Sequence, residues 1–300
     1  MIKVLVITGQ TATGKTALSL ELAQCFEGEI INADSQQVYR GLDIGTAKIK
    51  DHEKAGISHH GLDVLEPYEN YDVKAFQTMA RHHIQAIQSK HKLPLLVGGT
   101  GLYLKAALYD YAFHEETRMA VDESLSNDEL VERLKELDPQ ALETIHPNNR
   151  KRLIRALEMA YQGKTKTQRS EQQDHKPLYD VFWVVLTMPK DQLDQRIEER
   201  VQTMMDSGLQ AEVERTFNQE EHFHYQSFQA IGYKEWLPYL KHEASLESVK
   251  NAIIIHTRQF AKRQMTWFRH QVPSRFVDVT QNDDVQQCIQ EIETWLHKNP

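Results

Sequence analysis

Residues 4–20 read VLVITGQTATGKTALSL. Val4 to Thr8 is an apolar run of the length of a buried strand. Gly9-Gln10-Thr11-Ala12-Thr13-Gly14-Lys15-Thr16 then satisfies G-x-x-x-x-G-K-[ST] at every fixed position. Beyond it, Leu18, Leu22 and Phe26 fall at i, i+4 and i+8, the spacing of a helix over 17–26. Strand, loop and helix therefore follow in the order a phosphate-binding loop requires. Glycines let the backbone curl so that successive N–H groups point inward at an anion. The helix N-terminus adds partial positive charge. Lys15 supplies a mobile point charge, and the Thr16 hydroxyl is placed to hold Mg²⁺. The loop specifies a polyphosphate or pyrophosphate but no nucleoside.

Outward from the loop the same alternation continues. Glu29–Ala33 (EIINA) is a second strand, Lys74–Ser89 a helix with Phe76, Met79, Ala80, His83, Ile84 and Ile87 on one stripe, and Leu93–Val97 (LPLLV) a third strand ending in Gly98-Gly99-Thr100-Gly101. Alternating strands and helices imply a parallel sheet with its ligand at the carboxyl edge. Thr11–Thr16, Asp34–Gln37 and Gly98–Gly101 all follow strands, so they are expected to meet there. From Glu115 to Lys176 the chain is charged and helical in character. Ser126 stands three residues before Glu129, a capping-box spacing, and NRKRLIRALEMAYQGK reads as a helix closing at Gly163. Tyr179–Leu186 returns to strand, and 191–215, 246–269 and 283–297 read as helices. The expected architecture is α/β: a P-loop NTPase-like parallel sheet flanked by helices over 1–111 and 178–300, with an all-helical insertion over 112–177.

Bulk properties fit this organisation. Three hundred residues suit one large domain or a core with an insertion. An apolar content of 40% is enough for a packed core, and no stretch approaches the roughly 18 consecutive apolar residues of a membrane span. The first residues show no leader pattern, since the first strand already belongs to the fold. Cys25 and Cys288 are far apart on helical patterns, which suits a reducing cytosol better than a disulfide scaffold. A cytoplasmic monomer with no membrane partner is expected. The net charge of −8 disfavours a nucleic-acid partner, although the distribution of charge matters more than its sum.

An absence bears on function. P-loop kinases and ATPases end a neighbouring strand with an Asp that helps hold Mg²⁺. Here the third strand ends in Gly-Gly-Thr, and the carboxylate follows the second strand instead, as Asp34 in NADSQQVYRGLDIGTAK. A lone Asp in that place is most simply a turn or cap residue. Its position at the ligand edge, followed by Ser35, Gln36 and Gln37, whose side chains can hydrogen-bond a base edge, also suits a proton acceptor beside the phosphate.

These pieces together resemble the tRNA dimethylallyltransferases, or isopentenyl-diphosphate:tRNA isopentenyltransferases. The residues that carry the resemblance are Gly9–Thr16, DSQQVYRGLDIGTAK from Asp34, GGTGLYL from Gly98, HPNNRKRLIRALE from His146, QRIEERVQTMMDSGLQAEV from Gln195, QAIGYKEW from Gln229 and TRQFAKRQMTWFR from Thr257, in family order. HPNN stands where the family has HPND, so Asn149 is given no role. Gln229 stands where many members carry Arg, which removes one candidate basic contact. The resemblance implies that the loop holds the diphosphate of dimethylallyl diphosphate, that ATP is not consumed, and that a five-carbon group passes to N6 of the adenine at tRNA position 37, next to the anticodon. The loop motif itself makes Mg²⁺ the expected metal, with Thr16 as its ligand.

By the same resemblance Gly9, Thr11, Ala12, Thr13, Gly14, Lys15 and Thr16 bind the diphosphate, Thr11 bonding its bridging oxygen. Arg200, with Arg196 second, is a further diphosphate contact, because a guanidinium fork suits diphosphate oxygens. Arginines one turn apart on a helix are otherwise commonly a solvated face. Asp34, Lys15, Thr11 and Arg200 form the expected catalytic set. Thr100 and Gly101 at the third strand end, with Ser35, Gln36 and Gln37, are expected to meet tRNA, and Tyr39 and Arg40 to support the flipped base or its backbone.

From Ile253 to Phe276 there is no Asp or Glu, while Arg258, Lys262, Arg263, Arg269 and Arg275 alternate with Phe260, Trp267 and Phe268. Lys151, Arg152 and Arg155 extend a second basic cluster that begins at Arg150, in the insertion, which is therefore expected to contact tRNA too. Basic residues among aromatics suit folded RNA, charges meeting phosphates and rings meeting splayed bases. Phe260 and Trp267, seven apart, fit the core stripe of an amphipathic helix at least as well, which would leave Lys262, Arg263 and Arg269 exposed. The target adenine has to leave its stack to reach Asp34. The pairs His59-His60, His82-His83 and His222/His224 lack Cys or carboxylate partners at ligand spacing and read as surface or packing residues. Two other classes of function fit parts of the pattern: a P-loop small-molecule kinase, or a prenyltransferase of free adenine nucleotides, would need neither basic clusters nor insertion, and a non-catalytic RNA-binding module would need no Asp34 beside a complete phosphate loop.

Overall fold

The computed structural model describes residues 1–111, 113, 121–122, 124–163 and 176–298. The chain forms two compact units, Met1–Tyr109 with Pro177–Pro300, and Asp110–Lys176. The first contains, in chain order, β1 (Lys3–Gly9), α1 (Lys15–Cys25), β2 (Gly28–Asn32), β3 (His59–His60), α2 (Val73–Ser89), β4 (Leu93–Val97) and α3 (Gly101–Leu108). The second contains α4 (Asn127–Leu137) and α5 (Arg150–Tyr161). The first unit resumes with β5 (Asp180–Thr187), α6 (Lys190–Asp206), α7 (Leu209–Thr216), a single turn α8 (Leu237–Leu240), α9 (Leu246–Gln271), β6 (Arg275–Asp278) and α10 (Asn282–His297).

The expected parallel sheet is present. Six strands run β3-β2-β4-β1-β5-β6, every pair parallel. Val4 to Ile7 is wholly buried because both faces of β1 are covered, the signature of a central parallel strand. The two-residue side-chain period divides it. Val4 and Val6 pack with Phe76, Ile84 and Leu104 of α2 and α3, while Leu5 and Ile7 pack with Leu22 of α1 and Ile292 of α10. β1 leads through α1 to β2 on one side and is bordered by β5 on the other. Its carboxyl end is therefore a topological switch point, where open α/β sheets form a crevice.

Three details depart from the sequence reading. β3 and β6 were not anticipated: they are two and four residues long and carry His, Arg and Asp. The expected helix over 191–215 is two helices, since Gly208 adopts φ 94° between α6 and α7. Residues 102–108, given no element in the sequence reading, follow Gly101 in helix α3.

In the second unit the capping box at α4 is formed: Ser126 Oγ accepts the Glu129 N–H, and Glu129 Oε2 accepts the Ser126 N–H at 2.7 Å. Leu130 and Leu134 of α4 pack on Leu153, Ala156 and Leu157 of α5. Asn149 caps α5 by accepting the Arg152 N–H, a local role for the residue that stands in place of the family's Asp. The helical character expected at 115–120 and 164–175 lies outside the described residues.

Candidate active site

The phosphate loop leaves β1 at Gly9 and enters α1 at Gly14, whose φ of 87° would strain any residue with a Cβ. Ala12 is also left-handed, at φ 65°, an uncommon state for a non-glycine that needs support from its surroundings. That support is a set of hydrogen bonds. Thr13 Oγ1 donates to Gln10 O at 2.7 Å, and Lys15 Nζ donates to Gln10 O at 2.7 Å and Gly9 O at 3.2 Å. Gln264, buried on α9, accepts the Thr11 N–H on Oε1 at 2.9 Å and donates from Nε2 to Gly99 O at 3.0 Å. One amide thus ties the loop to the segment after β4. Gln10 Nε2 adds a bond to Ala261 O at 3.2 Å.

Asp34 follows β2 in a double turn. Asn32 Oδ1 accepts the Asp34 N–H at 3.0 Å, and Asp34 Oδ1 accepts the Gln36 N–H at 2.8 Å. The turn role and the site role therefore coexist: one carboxylate oxygen fixes the turn, and among the described residues the other has no hydrogen bond. Asp34 lines a cavity of about 240 Å³ together with Thr11, Ser35, Gln36, Thr100 and Arg200. Ile197, Val201, Met204, Ile231, Ile253 and Phe260 give the same cavity an apolar wall. Gln36 Oε1 is buried and has no hydrogen-bond partner among the described residues.

Charge concentrates here. Burial, and then the Arg200 guanidinium, lower the Lys15 pKa to about 8 against the opposing pull of Asp34. Arg200 is itself lowered by burial, with Asp34 again opposing. Two crowded cations and one carboxylate leave an excess of positive charge that a bound anion would relieve.

Three comparisons place the chain in a family. The pattern that defines the IPP transferase family matches residues 37–271. The chain belongs to the IPP transferase family. It is 45% identical over 296 residues to a tRNA dimethylallyltransferase of Anoxybacillus flavithermus, covering 97% of this chain and 94% of that one. Among solved structures it resembles a tRNA delta(2)-isopentenylpyrophosphate transferase of Staphylococcus epidermidis, with a TM-score of 0.74, 37% identity and 99% of each chain covered. It also resembles a eukaryotic dimethylallyltransferase described as acting on tRNA, with a TM-score of 0.87, 30% identity, and 100% of this chain and 81% of that one covered.

In this IPP transferase the residues singled out in the sequence fall into distinct settings. Thr11, Asp34, Ser35, Gln36, Thr100 and Arg200 share the cavity. Thr16 is exposed at the first turn of α1, and Arg196 is exposed on α6 and does not line the cavity. Gln37 spends its amide on Thr46 O at 3.2 Å. Gly101 lies under Trp267, whose ring a Cβ there would meet at 2.3 Å. Tyr39 is a correction: its side chain is wholly buried in the core, so it cannot support a base or a backbone. Arg40 is exposed and pairs with Glu66 at 2.7 Å.

The basic stretch is likewise divided. Lys262, Arg263 and Arg269 are exposed on α9, and Arg263 sits over the Phe260 ring at 5.9 Å. Arg258 is drawn to α6, pairing with Asp194 at 3.4 Å and with Glu198. Arg275 belongs to β6 and pairs with Asp284 at 2.6 Å and Glu291 at 3.0 Å, so it is a structural residue. Phe268 is core, Trp267 covers Gly101, and Phe260 faces the cavity. Lys151 and Arg152 are exposed on α5, and Arg155 pairs with Glu158 at 2.9 Å. His60 stacks on His83 at 4.4 Å and shares a 2.8 Å hydrogen bond with Glu29. Burial pushes the Glu29 pKa up, but hydrogen bonds from His60, Lys92 and Lys90 outweigh it and bring it to about 2.

Sequence reasoning missed Gln264 and the cavity's contributions from Gly45, Thr46 and Ala230–Gly232. The motifs DIGTAK and QAIGYKEW were visible signals for the latter. For Gln264 the signal was its place inside TRQFAKRQMTWFR, although nothing in that motif marks it as the partner of the loop.

Proposed function

We propose that this IPP transferase moves the dimethylallyl group of dimethylallyl diphosphate to N6 of the adenine at position 37, beside the anticodon, of tRNA, releasing diphosphate. The observation that carries this reading is the cavity itself: Thr11 of the phosphate loop, the Asp34 carboxylate and an apolar wall meet in about 240 Å³. A kinase site has no use for an apolar wall beside its phosphates, whereas a prenyl group needs one. The names of the similar proteins point the same way.

The amino group at N6 is a weak nucleophile because its lone pair is delocalised into the ring. Transfer therefore needs help at both ends. At the leaving end Lys15, Arg200 and the loop N–H groups stabilise charge that develops on the diphosphate, and Thr11 bonds the bridging oxygen. Arg196, exposed on α6 and outside the cavity lining, is the second diphosphate contact in this reading. At the acceptor end Asp34 takes the N6 proton, its plane fixed by the Gln36 N–H. An unpaired buried acceptor such as Gln36 Oε1 costs about 1–3 kcal/mol, which an N–H of a base edge would offset. Ser35, Gln37, Thr100 and Gly101 are further tRNA contacts in this reading.

Mg²⁺ suits the same loop. Thr16 offers an exposed hydroxyl oxygen, a hard donor of the kind that would hold Mg²⁺ beside substrate phosphates. Held there, it would supply further positive charge to the leaving diphosphate. The exposed Lys262, Arg263 and Arg269 of α9 and the Lys151, Arg152 and Arg155 cluster of α5 engage tRNA phosphates, with Arg258 at the margin. The target base flips out to reach Asp34. No helix among the described residues is long and apolar enough to cross a membrane, and the enzyme acts as a cytoplasmic monomer in this reading.

The test is acceptor exchange. Labelled dimethylallyl diphosphate is incubated with the protein and either tRNA or AMP. Label in tRNA supports the proposal, and label in AMP alone would transfer it to a free-nucleotide prenyltransferase.

A further inference from the structure

Glu212 lies on α7 and is 2% exposed. Its carboxylate accepts three consecutive backbone N–H groups from a distant segment: Asp43 at 2.9 Å and Ile44 at 2.8 Å on Oε2, and Gly45 at 3.0 Å on Oε1. The Tyr233 hydroxyl donates to Oε1 at 2.8 Å. A carboxylate has about four acceptor sites, so this one is saturated. Glu212 does not itself line the cavity, and the transfer chemistry makes no use of it. Its partners do border that cavity: Gly45 and Thr46 line it from one segment, and Ile231 and Gly232 line it from the segment that carries Tyr233.

The rest of the 42–48 turn is knitted to itself. Thr46 Oγ1 donates to Leu42 O at 2.6 Å, and buried Lys48 reaches Tyr39 O at 2.6 Å, Asp43 at 2.7 Å and Asp63 at 2.6 Å. Those bonds give the turn its shape but not its place relative to α7. Glu212 supplies that place. The Tyr233 ring completes the joint, since a Cβ on Gly45 would meet it at 2.5 Å. An apolar side chain would hold α7 to the core without the desolvation cost of a buried carboxylate. It would not set the height and angle of three successive N–H groups.

The geometry points to Glu212 as a positioning residue for the transfer reaction: it clamps the backbone at 43–45 so that Gly45 and Thr46 form a fixed wall of the cavity, locked through Tyr233 to the wall at 231–232. This rests on the reading of that cavity as the transfer site. Lys15 and Thr16 are held by other elements, so the clamp governs alignment of the reacting groups and not capture of the diphosphate. Misplacement by about 1 Å costs on the order of a hundredfold in rate.

Two full-length variants test it, each assayed well below its thermal midpoint. Glu212→Gln turns one oxygen into an N–H₂ group facing donors. Gly45→Ala leaves Glu212 intact and pushes the loop off the Tyr233 ring. Both are expected to lower kcat for labelling of tRNA by about 10- to 100-fold. KM for dimethylallyl diphosphate and the Kd for tRNA are expected to stay within about threefold of the wild type, the signature of an interaction needed for alignment alone. A wild-type protein that fails to label tRNA would sink the reading of the site, not the clamp. Wild-type kcat in either variant, even with a lowered thermal midpoint, would make the contact one of stability alone and overturn the inference. So would a loss of donor and tRNA affinity as large as the loss of kcat. If Glu212→Gln does not fold, Gly45→Ala decides by the same outcomes.

Discussion

Raising the pH from 7 to 9 should weaken binding of dimethylallyl diphosphate in a way that Lys15 alone dictates. Burial and the neighbouring Arg200 bring the Lys15 pKa down to about 8. Its ammonium is then about nine-tenths charged at pH 7 and about one-tenth charged at pH 9. If the diphosphate needs that charge, its apparent Kd is flat below pH 8 and rises as the pH passes through 8, by about tenfold between pH 7 and 9. The donor's own terminal phosphate, with a second pKa of about 6, is already ionised over this window. The bound anion favours the charged ammonium, so binding draws protons from solution. Uptake should approach one proton at pH 9 and be close to none at pH 7. Isothermal titration in two buffers of different ionisation enthalpy reads both quantities. Lys15→Arg, charged throughout, should flatten the profile even where it binds more weakly. A Kd independent of pH from 7 to 9, with no proton uptake, would refute the placing of Lys15 on the diphosphate.

Other outcomes follow from the same site. Asp34→Asn keeps the shape and can still accept the Gln36 N–H, so donor and tRNA binding should survive while single-turnover rates fall by roughly 10²–10⁴; a rate within a few-fold of wild type would show that another group takes the proton. Gln264→Leu leaves the Thr11 N–H and the Gly99 carbonyl without their partner, at about 1–3 kcal/mol for a buried group, so the thermal midpoint should drop and the donor KM rise; unchanged values of both would contradict the role of Gln264 in holding the loop. Reversing Arg263 and Arg269 to Glu should weaken tRNA binding and lower the log–log salt slope by about 0.7–0.9 for each lost phosphate contact, with donor affinity unaffected; unaltered tRNA affinity at low salt would turn that face of α9 away from the RNA.

The sheet was readable in sequence wherever a strand is buried on both faces. β1, β4 and β5 are continuous apolar runs because parallel strands need no polar face. β3 and β6 lie at the sheet's two edges, where a few residues pair along one side only, and His59-His60 or Arg275-Phe276 carry no periodic signal at that length. Ser207-Gly208 did hold a sign of the break between α6 and α7, but helical spacing continues across it, and only the backbone of Gly208 shows the chain turning.

For the site, the parts that follow strands could be read locally. The loop, Asp34 and Thr100 each come directly after a strand, so the topology rule alone sends them to one edge. Gln264, Glu212 and the Gly45–Thr46 wall could not be found that way. Their partners lie across 253, 167 and more residues of chain, and a Gln or Glu on a helix is an ordinary surface residue until the fold buries it. Aromatic spacing misleads in the opposite sense. Phe260 and Trp267 share a helix face, yet one borders the cavity and the other covers Gly101.

Prenyl transfer and kinase chemistry differ in what the phosphate loop releases. The most direct measurement follows diphosphate, ADP and modified adenosine together while the protein acts on unmodified tRNA with dimethylallyl diphosphate and Mg²⁺, in the presence of ATP. One diphosphate should appear for each N6-dimethylallyl adenosine recovered from the digested tRNA, at position 37, with ATP left intact. ADP formed in step with turnover, or diphosphate released with no prenyl group on the adenine, would contradict prenyl transfer.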